Sequence, residues 1–270
     1  MTTRFFWIVY GLLFMAAGCR GETVEQVERA RTFEAGRAAY AYAGSVVIEP
    51  VAVAWPKLRN LRRSNFKGTM VYLHGCDGIN ALSLQAADIF ASAGYLVLMP
   101  DSFARLDKPV SCRPAAFQGS LHRDVLAWRQ GEAEEAVRRA KTLDAVDPAR
   151  IVLYGLSEGA IAVATYTGEA VRARIVEGWT CHAGWDEYRG LHASASEAVL
   201  TITSENDPWF QQAPLRGDCG QFLGNLTSLR RSVVFRPPHP AASSHDVLWN
   251  LDARRIVADF LSAAFSSNHE

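Results

Sequence analysis

Beyond residue 65 the chain alternates short apolar, β-branched runs with longer segments of helical spacing. Residues 69–73, 95–99, 150–154, 175–179, 198–203 and 232–235 read as strands. Residues 82–93, 121–143, a segment from Ser157 onward and 247–265 read as helices, and a long loop runs from Pro100 to about Gly119. Strands alternating with helices predict an α/β fold, a mostly parallel central sheet with helices on both faces. In such sheets a ligand sits at the carboxyl ends of the strands. Residues 180–197, between two predicted strands, are too few for a large helical lid. Upstream, residues 22–43 combine helical spacing with mixed charge, and 45–53 read as a strand before Pro56.

The extreme N-terminus breaks this pattern. Arg4 precedes an uncharged apolar run from Phe5 to Ala17, too short to span a bilayer but suited to the core of an export signal. The small residues Ala16-Ala17-Gly18 before Cys19 resemble the lipobox of bacterial lipoproteins, with Ala16 where Leu is usual. The expected organisation is therefore an export signal over 1–19 with Cys19 lipidated, a helical segment over 20–44 and one α/β domain over 45–270. An exported chain, periplasmic or in the cell envelope, touches the membrane through that anchor only.

Charge narrows the partners. The 28 basic and 28 acidic residues balance, which leaves no electrostatic footprint for nucleic acid and no polybasic membrane patch. Of five cysteines, Cys76, Cys112, Cys181 and Cys219 remain after Cys19, an even number in a compartment that permits disulfides. Three pairings are open to them. Pairing Cys76 with Cys112 and Cys181 with Cys219 would tie together loops at the carboxyl ends of neighbouring strands. Adjacent Cys181-His182 and the absence of a Cys-x-x-Cys pair give no zinc motif.

Gly155-Leu156-Ser157-Glu158-Gly159 lies between the apolar run 151–154 and an Ala-rich helical segment. A strand, a Gly-x-Ser-x-Gly turn and a helix make the context in which a strained turn presents a nucleophilic serine, here Ser157. A serine hydroxyl needs a base. His245, in the polar loop Ala242-Ser243-Ser244-His245-Asp246, is the candidate, with the proline-flanked His239 as competitor. Asp207, followed by Pro208, is the candidate carboxylate to orient the imidazole, ahead of Glu205, and it is also placed to cap a helix starting at Pro208. Two backbone amides must receive the oxyanion; Glu158 and Cys76, in His74-Gly75-Cys76-Asp77-Gly78, are the expected donors. All three side chains follow predicted strands, in the order Ser, Asp, His.

Val71-Tyr72-Leu73-His74-Gly75-Cys76-Asp77-Gly78, Gly94 through Pro100-Asp101-Ser102-Phe103, and Val146-Asp147-Pro148-Ala149-Arg150-Ile151 leading into the Ser157 turn together resemble the dienelactone-hydrolase-like branch of the α/β-hydrolases. The resemblance spans roughly residues 65–265 and implies that fold and its triad. It departs at the nucleophile, where dienelactone hydrolases proper carry cysteine and this chain has Ser157. It therefore implies hydrolysis of small ester or related acyl substrates through an acyl-enzyme, with no metal or organic cofactor. Trp185, Tyr188, Trp209 and Phe210 are candidates to line an acyl pocket, and Arg105 or Arg113 to meet an acidic substrate. The alternatives are a serine peptidase resembling the prolyl oligopeptidases, which share the triad order, and a non-catalytic envelope binding protein that kept the fold.

Overall fold

The computed structural model describes residues 38–42, 52–54, 66–104 and 110–266. Eight strands form one sheet: β1 (Ala38–Tyr42), β2 (Ala52–Ala54), β3 (Thr69–Leu73), β4 (Leu96–Pro100), β5 (Ile151–Leu156), β6 (Ala173–Glu177), β7 (Ala198–Ser204) and β8 (Arg230–Phe235). Their spatial order is β2-β1-β4-β3-β5-β6-β7-β8. The six strands from β4 to β8 run parallel, and β1 and β2 add an antiparallel edge. Among the described residues, four helices flank the sheet: α1 (Ala81–Ser92), α2 (Val125–Ala140), α3 (Glu158–Thr165) and α4 (Leu251–Ser266).

Strand periodicity decides what each face buries. Along β3, Val71 and Leu73 point into a core shared with α2 and α3, while Met70 and Tyr72 point into the opposite core against α1 and α4. Because both faces are covered, β3, β4, β5 and β6 are buried at every position, and the first three read in the sequence as near-continuous apolar runs. Helix α1 starts where the Asn80 side chain accepts from Leu82 N and Ser83 N, at 3.0 and 3.2 Å.

Several expected boundaries move. Ala38–Tyr42, assigned from its spacing to a helical segment, is a strand paired antiparallel with β4 (Tyr40 opposite Met99). The open edge of β4 supplies backbone partners that local propensity does not foresee. The strand expected over 175–179 is Ala173–Glu177, ended by Gly178 at φ +62°. Helix α4 starts at Leu251 rather than 247, because the Val247 and Leu248 amides donate to the buried Glu177 side chain. Helix α2 covers Val125–Ala140 within the expected 121–143. Between β6 and β7 the chain makes one short 3₁₀ turn, Asp186–Tyr188, and no lid domain. The export signal, Cys19, Arg105 and most of the 20–44 segment lie outside the described residues.

Two disulfides join loops at the carboxyl edge of the sheet, Cys76–Cys112 and Cys181–Cys219. That pair of links is consistent with an oxidising compartment outside the cytoplasm.

Candidate active site

The turn after β5 is strained. Ser157 stands at φ 59°, ψ −120°, a region that non-glycine residues avoid. Its amide donates to the Glu177 carbonyl at 2.9 Å, and its own carbonyl accepts from Ala160 N and Ile161 N, so strand passes to helix within one residue. The flanking glycines are required by contact: a Cβ on Gly155 would lie 2.3 Å from Gly159 O, and one on Gly159 would lie 2.2 Å from Leu73 O. Strand and helix thus meet backbone to backbone, and Ser157 is pushed out at the sheet edge, where it lines a cavity of about 310 Å³.

Asp207, 1% exposed after β7, brings its carboxylate to the ring of His245. Asp207 Oδ2 lies 2.7 Å from His245 Nδ1, and Oδ1 accepts from Trp209 N at 3.0 Å. Both readings of Asp207 hold at once, since it orients the imidazole with one oxygen and caps the 3₁₀ turn Pro208–Phe210 with the other. A proton on Nδ1 leaves Nε2 as the acceptor. Nε2 is buried and makes no hydrogen bond to a described residue, Ser157 included. Trp209 stacks on the ring with centroids 5.1 Å apart and Phe210 lies 5.6 Å away; both also line the Ser157 cavity. Space beside the imidazole comes from Gly178, where a Cβ would approach His245 O to 2.7 Å.

The competitors are elsewhere. His239 stacks on Phe235 and turns its Nε2 to Asp252 at 3.3 Å. Glu205 is exposed and paired with Arg236 at 3.5 Å.

Sequence reasoning missed Glu177, read only as part of a strand. Its backbone carbonyl holds Ser157 N, while its carboxyl accepts from Val247 N (2.7 Å), Leu248 N (3.2 Å) and the Tyr154 hydroxyl (2.5 Å). One buried residue therefore fixes the serine turn relative to the His245 loop. Burial, and next the negative Asp246, hold the Glu177 carboxyl well above the usual carboxylate range. The available signal was an acid directly after the apolar pair Ile175-Val176, at the end of a strand.

Cys76 and Glu158 line the cavity beside Ser157, and a Cβ on Gly75 would lie 3.6 Å from Ser157 Cβ. Both of their loops are anchored from behind by Arg129 of α2, 1% exposed, which sequence reasoning also passed over. Its guanidinium donates to the His74 carbonyl, lies 3.4 Å from Glu158 Oε1 and 3.5 Å from Glu132 Oε2. One cation thus faces two carboxyl groups. Desolvation raises the Glu158 carboxyl, an effect opposed by Arg129. Burial and then Arg129 push the His74 imidazole well below its ordinary value, so it is neutral, with Ser102 N donating to its Nε2 at 3.1 Å.

Trp185, Tyr188, Trp209 and Phe210, the aromatic candidates in the sequence, all line the cavity. Arg113 does not.

No family model matches the chain, and no curated protein matches it in sequence. Solved structures do match. A protein assigned as a dienelactone hydrolase from Klebsiella pneumoniae superposes with a TM-score of 0.53 at 14% identity, covering 77% of this chain and 91% of that one. A dienelactone hydrolase-like promiscuous phosphotriesterase from metagenomic libraries gives 0.50 at 16%, covering 75% and 87%. A phospholipase/carboxylesterase from Dyadobacter fermentans gives 0.50 at 15%, covering 84% and 96%. At these identities the likeness concerns the fold alone, and the fold is that of the α/β-hydrolases.

Proposed function

We propose that this chain, built on the dienelactone-hydrolase-like α/β-hydrolase fold, is a serine hydrolase of small ester or related acyl substrates. The observation that carries the proposal is the Asp207–His245 hydrogen bond at 2.7 Å, with an unpartnered Nε2, on a ring packed against Trp209 and Phe210, which line the same cavity as the serine of the strained elbow. Ser157 Oγ attacks the acyl carbon as His245 Nε2 takes its proton; Asp207 holds the ring in that tautomer and stabilises the imidazolium. The oxyanion is received by the amides of Cys76 and Glu158, neither of which donates a hydrogen bond among the described residues. His245 then returns the proton to the leaving alcohol, and a water activated by the same nitrogen cleaves the acyl-enzyme. In a site without substrate, the serine–histidine bond is often long and tightens on binding.

The same reading places the protein outside the cytoplasm, held to the membrane by a lipid on Cys19. Hydrolysis of p-nitrophenyl esters tests the chemistry. Ser157→Ala and His245→Ala should each lose activity by at least about 10³-fold while remaining folded. Full activity in Ser157→Ala would overturn the assignment.

A further inference from the structure

The walls of the Ser157 cavity bear on which acyl group it admits, an inference that rests on the proposed hydrolase reading. Six aromatic rings border the space, and they come as three edge-to-face pairs. Phe117 meets Trp209 at 5.9 Å, Trp179 meets Phe210 at 5.6 Å, and Trp185 meets Tyr188 at 5.1 Å between centroids. Each ring is held by its neighbour, so the chamber presents flat, fixed apolar surfaces rather than adaptable side chains.

Charge points the same way. No Lys, Arg or His is among the described residues lining the cavity; its one ionisable carboxyl is Glu158, backed by Glu132 with Arg129 as the cation between them. Arg123, which lies 5.2 Å from the Trp185 ring centroid, is not a lining residue and is paired with Glu187. An anionic acyl group entering here would lose its hydration and meet ring faces and an acid, with no cation among the described lining residues to replace the lost water.

We infer that the site selects esters with an uncharged, aromatic acyl group and excludes esters whose acyl group carries a carboxylate. Rings at the walls favour stacking of a flat group, and the volume of about 310 Å³ accommodates one. Gln118, Ser120 and Gln212, among the polar side chains lining the cavity, offer hydrogen bonds without charge.

The test is a set of p-nitrophenyl esters that differ only in the acyl part: acetate, phenylacetate, hydrogen succinate, and the same succinate capped as its methyl ester. Phenylacetate should exceed acetate in kcat/KM by about tenfold, and the capped succinate should exceed the free acid by about 100-fold. Trp185→Ala should lower the phenylacetate-to-acetate ratio by about tenfold. Equal turnover of the two succinates, or an unchanged ratio in Trp185→Ala, would overturn the substrate class. Binding separates this from failure of the chemistry. In Ser157→Ala protein, tryptophan fluorescence should respond to methyl phenylacetate at concentrations at least about tenfold below those needed for methyl hydrogen succinate. The reverse order would refute the substrate class whether or not Ser157 proves to be the nucleophile.

Discussion

Arg129→Met removes a guanidinium that faces Glu158, Glu132 and the His74 carbonyl together. The methionine fills much of the same volume but withdraws a cation from two buried carboxyl groups and a carbonyl. Removing one partner of a buried ion pair costs about 3–5 kcal/mol. With three acceptors losing a shared donor, the upper end applies. For a domain of this size each kcal/mol lowers Tm by about 2–4 °C, so a fall of roughly 10–20 °C is expected. The carboxyls will respond by binding protons. The Glu158 carboxyl, already raised by burial, loses the Arg129 charge that held it down and rises further. The variant should therefore be nearer to the parent in stability at pH 5 than at pH 8, because protonation relieves the uncompensated charge. Activity should fall separately. The guanidinium braces the His74 loop against Glu158, and loss of one well-placed oxyanion donor lowers kcat by about 10²–10³-fold. The expected pattern is a kcat decrease of about 10²-fold with KM changed less than about threefold. Scanning calorimetry at pH 5 and 8, with steady-state kinetics on one ester, reads both effects. Adding Glu158→Gln and Glu132→Gln should restore much of the stability but not kcat. A variant that keeps its Tm and kcat within twofold would show that the guanidinium neither balances the carboxyls nor positions the loops.

Asp207→Asn should preserve the fold and lower kcat by about 10⁴-fold, since an amide no longer enforces the Nδ1-protonated tautomer; a loss below about tenfold in steady-state assays would contradict that role. Glu177 has its carboxyl raised in the folded state, so it favours folding below the unfolded carboxyl value of about 4.3, and that contribution is lost as pH rises toward the folded value at about 1.4 kcal/mol per unit. Glu177→Gln, neutral throughout, should flatten the loss of stability between pH 5 and 8 in urea titrations, whereas parallel profiles would show that Glu177 is ionised when folded. The Cys76–Cys112 link closes a separation of 36 residues, for which chain entropy gives about 4 kcal/mol. Cys76→Ser with Cys112→Ser should lose that much in chemical denaturation, and a change under about 1 kcal/mol would indicate that the loops are held by other contacts.

The parts of this fold that the sequence reveals are those governed by local pattern. Strands such as Thr69–Leu73 are legible because burial on both faces leaves an unbroken apolar run. The elbow is legible because Gly155 and Gly159 answer a backbone contact visible as a motif. What escaped depends on partners distant in the chain. Ala38–Tyr42 becomes a strand through the exposed edge of β4, which no window around residue 40 contains. Helix α4 starts late because Glu177, some seventy residues earlier, captures the Val247 and Leu248 amides. Arg129 sits in a charged helical segment where a buried arginine looks like any surface one. Its role emerges only once α2 packs behind the two loops. At the candidate site, strand order and loop chemistry pointed to Asp207 and His245, which the fold brings into contact, and the sequence left Glu177 and Arg129 as ordinary residues because the groups that define their roles, the Val247 and Leu248 amides for Glu177 and the His74 carbonyl and Glu158 carboxyl for Arg129, lie far away in the chain.

The central claim is that Ser157 is the nucleophile activated by His245. Intact-protein mass spectrometry after treatment with a fluorophosphonate measures it directly. One adduct per chain, located on Ser157 by peptide mapping, absent in Ser157→Ala and formed at least about 10²-fold more slowly in His245→Ala, is the predicted result. A folded protein that takes up no adduct, or takes it up on another residue, would contradict it.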